Sequence, residues 1–304
     1  MKLGLLSAIL PELSFEEVID FACEEKFAAM EIMCWPAGKA ERRYAGITHI
    51  DVSKLDSEAT GHIKNYSTQK NVDIATLGYY PNALDENKEQ SEIYIAHIKK
   101  VIEAAAKLGV KNVGTFIGRD QYKSTADNLK LFAKVWPDII KYAEKNNVRV
   151  CIENCPMYFS DDEWPNGKNL AHSPEIWREM FKTIKSDAFG LAYDPSHLVW
   201  QQMDYIRPVY EFKDKIFYIH LKDAKVYPDK LNECGILAPP LSYHTPKIPG
   251  LGDIDWGLFI SALYDIRYEG YACIEVEDKA FENTLAERKN AAILSKRYLN
   301  QFMM

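Results

Sequence analysis

Apolar residues recur along the chain in two alternating rhythms. Short unbroken runs rich in Val, Ile, Leu, Phe and Tyr mark strands buried on both faces. They fall at about 2–9, 28–34, 72–79, 111–117, 149–154, 189–195, 216–222 and 271–276. Between them, apolar positions return at helical spacing. The segment "SFEEVIDFACEEKF" opens on Ser14 with Glu17 three residues on, the arrangement of a capping box. In "SEIYIAHIKKVIEAAAKLG", Ile93, Ile95, Ile98, Val101, Ile102 and Ala105 lie near helical spacing, and Gly109 closes the helix. Further helices are predicted at about 57–70, 126–146, 174–184, 205–214, 256–267 and 285–301.

Eight strands, each followed by a helix, make the (β/α)8 pattern of a closed barrel. A doubly wound open sheet would carry a Gly-rich phosphate turn after an early strand, and the sequence has none. With no linker, low-complexity tract or short repeat, the expectation is one α/β barrel domain over residues 1–304. Two joints are long, 154–172 and 223–255. Structureless connections of that length are uncommon unless they serve a function, and both lie on the side where barrel active sites are built.

Composition works mainly by exclusion. The chain carries a net charge of −7 and a pI of about 5.6, without the basic face of a nucleic-acid binder. The pairs Arg42–Arg43 and Lys99–Lys100 read as solvated surface. Cys23, Cys34, Cys151, Cys155, Cys234 and Cys273 include no C-x-x-C pair and read as reduced thiols of a cytoplasmic protein. The opening "MKLGLLSAIL" faintly resembles a signal peptide, but its apolar run is short and Pro11-Glu12 follows, so it reads as a first strand. No run approaches the roughly 20 apolar residues of a membrane span.

The chemistry sits at the strand ends. In "CIENCP" an ionised Glu153 closes an apolar strand, which is costly unless something compensates it. The sixth strand, "FGLAYDPSH", ends on Asp194 with His197 three residues later. The seventh, "IFYIHLKD", brings His220, and the eighth, "YACIEVED", brings Glu275. Singly, each has a plainer role: Glu153 paired with Lys222, Asp194 capping a turn, His220 in the core. On one rim of a barrel, however, three carboxylates without compensation would repel and raise one another's pKa. A divalent cation resolves this. Carboxylate oxygens with one imidazole suit Mn²⁺ best, with Co²⁺, Mg²⁺ or Zn²⁺ also admissible.

At "IENCP", "YDPSHLVW", "IHLKD", "IPGLGDIDW" and "CIEVED" the sequence resembles the xylose isomerase-like family of TIM barrels, which includes sugar-phosphate isomerases and epimerases. The likeness is dense from about 149 to 290 and weaker before. It implies that Glu153, Asp194, His220 and Glu275 bind one divalent metal, that Glu153 and Glu275 act as an acid–base pair, and that His197 touches substrate. It also implies a small sugar or sugar phosphate as partner and admits a homo-oligomer, while the acidic charge argues against a nucleic acid and the short apolar runs against a membrane. The superfamily includes dehydratases and DNA-repair endonucleases. The latter need extra histidines on early strands, and here those strands end in "SAI", "IMCW", "LGYYP" and "FIG".

The expected function is therefore a metal-dependent sugar isomerase or epimerase, with a dehydratase of a keto-polyol as alternative, then a barrel that binds sugar without catalysis. Lys222 shares strand parity with His220 and points inward to a carboxylate or substrate oxygen. Asp223 backs a metal-binding histidine or contacts substrate. Trp35 and Trp200, with Tyr79, Tyr80, Phe116 and Trp164, offer aromatic walls for sugar C–H faces. Arg119 is a candidate contact for a phosphate, and His244 a lid residue. Glu277 lines the rim or pairs with a lysine. Cys155 has no evident base to activate it, His172 has no assigned role, and His49, His62 and His97 read as surface.

Overall fold

The computed structural model describes residues 1–38, 44–158 and 160–303, so Arg42 and Arg43 lie outside the described residues. Among the described residues ten strands occur in chain order: β1 (Lys2–Leu6), β2 (Ala29–Met33), β3 (Asp73–Gly78), β4 (Asn112–Thr115), β5 (Arg149–Glu153), β6 (Phe189–Tyr193), β7 (Ile216–Leu221), β8 (Asp223–Val226), β9 (His244–Lys247) and β10 (Tyr271–Ile274). All but β8 and β9 pair in parallel and close as β1-β10-β7-β6-β5-β4-β3-β2, the expected (β/α)8 barrel.

The helices are α1 (Phe15–Glu24), α2 (Ser57–Gln69), α3 (Lys88–Leu108), α4 (Thr125–Lys145), α5 (Pro174–Thr183), α6 (Ser196–Val199), α7 (Arg207–Glu211), α8 (Pro228–Cys234), α9 (Trp256–Asp265) and α10 (Leu285–Leu299). The Ser14–Glu17 capping box opens α1, and Gly109, at φ +77°, closes α3 in the left-handed region that glycine tolerates. Among the described residues no helix is long and apolar enough to cross a membrane.

Inside the barrel, Ala29, Ala75, Cys151, Ala192, Tyr218 and Cys273 pack as one buried apolar layer. Strand side chains alternate between faces. The next inward positions along β2, β5, β6, β7 and β10 are therefore Glu31, Glu153, Asp194, His220 and Glu275. An apolar floor thus carries an ionisable layer above it.

Several expectations are corrected. The first strand stops at Leu6, and Ser7–Ile9 form a 3-10 turn. Ser7 Oγ accepts from Met33 N at 3.0 Å, which bends the chain across β2. The joint 223–255 is not structureless: β8 and β9 pair as an antiparallel hairpin enclosing α8. His49 and His97 are buried, not on the surface, because each ring finds a carbonyl, Leu10 O at 3.1 Å and Cys34 O at 2.8 Å. His62 is exposed beside Glu16. All six cysteines are free.

Candidate active site

One ligand atom from each of Glu153, Asp194, His220 and Glu275 lies within 4.8 Å of every other. Asn154 positions the group locally. Its amide donates to Asp194 O and accepts from Asp194 N, both at 2.8 Å, and so clamps the end of β6 to the end of β5. Asp194 Oδ1 accepts from Ser196 N at 2.8 Å, while Oδ2 is buried with no hydrogen-bond partner. His220 Nδ1 is likewise buried and unpartnered, 3.7 Å from Glu153 Oε2 and 3.6 Å from Glu275 Oε2. An imidazole nitrogen without a hydrogen-bond partner and three carboxylates converging on one point fit a divalent cation.

Sequence reasoning missed Glu31. It lies in the fully buried run of β2, where the argument applied to Glu153 would have found it. The register against β3 shifts between Met30 and Glu31, with Ala75 of β3 as the extra residue, and Glu31 keeps the inward face of Ala29 two residues before it. Glu31 Oε2 accepts from His220 Nε2 at 2.9 Å, and Oε1 from the Tyr80 hydroxyl at 2.5 Å. A side chain at Gly78 or Gly114 would collide with this pair. With Nε2 committed to Glu31, Nδ1 is the nitrogen that faces the carboxylates. Tyr80 is thus a partner of Glu31 and not a wall of the cleft.

Lys222 threads the same layer. Its buried Nζ lies 3.0 Å from Glu275 Oε2, 3.2 Å from Glu277 Oε2, 3.2 Å from Asp194 Oδ2 and 4.0 Å from Glu153 Oε1. Burial works against its charge, but Glu275, Asp194, Glu277 and Glu153 outweigh it and hold the pKa well above the usual lysine range. Burial likewise opposes protonation of His220, and Glu31 and Glu153 overcome it. The two glutamates split. Burial raises Glu153, yet His197, His220 and Lys222 reverse this and hold it below the usual range. Burial dominates at Glu275 and, with repulsion from Glu153 and Glu277, lifts it to about 8 against the pull of Lys222 and His220.

His197 sits 3.4 Å from Glu153 Oε1 and 3.3 Å from Asp194 Oδ2 through Nε2. Trp200 Nε1 donates to its Nδ1 at 3.4 Å, which leaves Nε2 as the protonated nitrogen. His197 is therefore a donor toward the site. That tells against the alternative cation set of Glu153, Cys155 and His197.

Above the layer opens a cleft of about 1190 Å³, lined by Trp35, His197, Trp200, Lys222 and His244 among others. Trp35 meets Tyr79 edge-on at 4.9 Å, and Trp200 stacks on His244 at 4.9 Å and 16°. Asp223 lines the cleft, but its hydrogen bonds do not go to His220. Its oxygens accept from Ala224 N, Ile254 N, Gly250 N and Trp256 Nε1, so it anchors the base of the β8–β9 hairpin. Glu31, not Asp223, backs His220.

A profile of the family described as Xylose isomerase-like TIM barrel matches residues 19–300. The chain belongs to that family. Within this xylose isomerase-like group it is similar to the uncharacterized protein YfiH of Bacillus subtilis, 25% identical over 91% of this chain and 93% of that protein. It is also similar to an inosose dehydratase of Clostridium perfringens, 30% identical over 36% of this chain and 37% of the dehydratase. The structure of a D-psicose 3-epimerase, solved in the presence of D-fructose, superposes with a TM-score of 0.72 at 13% identity over 100% of this chain and 99% of that one. The structure of an IOLI protein with a bound zinc atom superposes with a TM-score of 0.72 at 17% identity, again over 100% and 99%. At such identities the superpositions establish the fold.

Proposed function

We propose that this protein is a divalent-metal-dependent enzyme that moves a proton beside the carbonyl of a small sugar or sugar phosphate, as an isomerase or epimerase. The observation that carries this reading is the convergence of Glu153 and Glu275, from β5 and the end of β10, on the unpartnered Nδ1 of His220. A divalent ion held by Glu153, Asp194, His220 and Glu275 would stabilise the oxygen charge that builds up as the proton leaves carbon. Mn²⁺ suits the donor set best.

The chain's own groups supply the rest. Glu153, held ionised, accepts the proton on a carboxylate oxygen. Glu275, reaching the cleft from the end of β10, returns a proton to carbon from the other side. His197 Nε2–H donates to a substrate oxygen. The Trp35–Tyr79 and Trp200–His244 pairs cover C–H faces and exclude water.

A second reading is a lyase acting on a keto-polyol. It draws on Lys222 Nζ, which is placed to give a proton to a departing hydroxyl beside Glu275, and on the similarity to inosose dehydratase over about a third of the chain. One experiment separates the readings. Mn²⁺-loaded protein is incubated in D₂O with ketoses, ketose phosphates and inososes and followed by NMR. Deuterium beside the carbonyl with a rearranged sugar is expected; loss of a hydroxyl selects the lyase; no exchange with any substrate, with metal bound, refutes both. Glu153→Gln should abolish the exchange while leaving the fold intact.

A further inference from the structure

The loops after β4 and β5 hold a charge that the chain itself does not neutralise. Arg119 is only 5% exposed. Its Nη2 donates to Asn166 Oδ1 at 3.1 Å and Thr125 Oγ1 at 3.5 Å, both neutral, and its buried Nε has no hydrogen-bond partner. Among the described residues no carboxylate oxygen comes within 4.0 Å of the guanidinium. Arg288, the comparable buried arginine, has Glu12 as its partner. A guanidinium stays protonated at any ordinary pH, so burying it unpaired is strongly unfavourable.

The position is also built. Arg119 N donates to Asn82 Oδ1 at 2.7 Å, and Asn82 Nδ2 returns a bond to Arg119 O at 2.9 Å. Gly118, at φ +84°, packs so closely on Asn82 that a side chain would collide. Asn169 accepts from Ile117 N at 3.1 Å and Gly118 N at 3.3 Å, and donates to Glu153 O at 3.0 Å and Cys155 O at 2.7 Å. One side chain therefore ties the Arg119 loop to the end of β5, where Glu153 sits. Tyr158 and Lys168, on the loop that carries Asn166, line the cleft.

We propose that Arg119 forms an oxyanion subsite at the edge of the cleft, which its hydrogen-bond partner Asn82 lines, and takes the phosphate or carboxylate of an acidic sugar. The charge and its rigid setting define the shared ligand chemistry, an oxyanion received by a fork of N–H donors. Its assignment to a substrate rests on the preceding reading of the cleft as a sugar site; oxyanion binding as such does not.

The test titrates inorganic phosphate into the full-length protein after metal removal, so that phosphate has no ion to chelate. Binding is followed by ³¹P line width and by thermal shift at fixed ionic strength. Saturable binding is expected, weakened roughly tenfold or more in Arg119→Gln, with Mn²⁺ affinity unchanged within about twofold by calorimetry. Arg119→Lys, which keeps the charge but not the fork, should lie between and serves if the glutamine variant does not fold. Absence of saturable binding to the unmodified protein overturns the subsite without recourse to any variant, as does equal binding by a folded Arg119→Gln. Competition then identifies the source. D-Fructose 6-phosphate displacing phosphate selects a sugar phosphate, 2-keto-D-gluconate a sugar acid, and D-fructose neither. Failure of both acids to compete overturns the substrate assignment. Exchange in D₂O with neutral sugars but no phosphate binding removes the subsite and leaves the proposed function. Phosphate binding without exchange on any sugar does the reverse.

Discussion

His220 Nε2 donates to Glu31 Oε2 at 2.9 Å, a bond that joins two strands of the barrel that are not neighbours. It fixes which nitrogen faces Glu153 and Glu275. Glu31→Gln should therefore weaken Mn²⁺ binding by about tenfold or more, with the circular dichroism spectrum unchanged. Calorimetric titration measures this, and an unaltered affinity would reduce Glu31 to a packing residue.

Lys222 is already a cation among four carboxylates. Removing it leaves buried negative charge uncompensated, a loss of about 3–5 kcal/mol when a buried pair is broken. Lys222→Met should lower the melting temperature of metal-free protein, and added Mn²⁺ should recover more stability in the variant than in the parent. Equal metal-induced shifts in the two proteins would mean that ion and ammonium do not share the same carboxylates.

Asp223 accepts four hydrogen bonds at the root of the hairpin. Asp223→Ala strands those donors and should cost about 3 kcal/mol or more in urea denaturation. Limited proteolysis should cut the variant between residues 227 and 243, with the barrel surviving. Resistance equal to the parent would show that the hairpin holds by other means.

His244 gives a pH signature. Burial lowers its pKa from the ordinary 6.5 to about 4, although its Nδ1–H bond to Pro240 O resists. The folded value lies below the unfolded one, so its contribution is fully present above about pH 6.5 and is lost as pH falls toward about 4. The loss is at most about 3 kcal/mol. His244→Gln should remove that part of the slope when unfolding free energy is compared between pH 7 and pH 4.5. Parallel curves for the two proteins would place the titration elsewhere.

The barrel was legible because parallel strands covered on both faces must be apolar, and the runs at 149–154 and 189–195 mark β5 and β6 to within two residues. The cluster of Glu153, Asp194, His220 and Glu275 was legible for the same reason: a charge at the end of such a run stands out. Glu31 escaped because it sits mid-strand rather than at the end of its apolar run, although it shares the parity of inward-facing Ala29. His49 and His97 misled because a histidine's burial depends on distant carbonyls, not on its neighbours in the chain. Asp223 misled because Gly250, Ile254 and Trp256, which take up its oxygens, lie more than twenty residues away. The hairpin escaped because its strands are four residues each.

The acid layer is held by the barrel strands, whereas His244 arrives on the hairpin and is fastened at one root by Asp223. Floor and roof are thus mechanically separable. Exchanging residues 227–243 between relatives would change which molecule fits while leaving the ionisable layer of the barrel undisturbed. Descent within such a lineage can then diversify diet without reinventing chemistry.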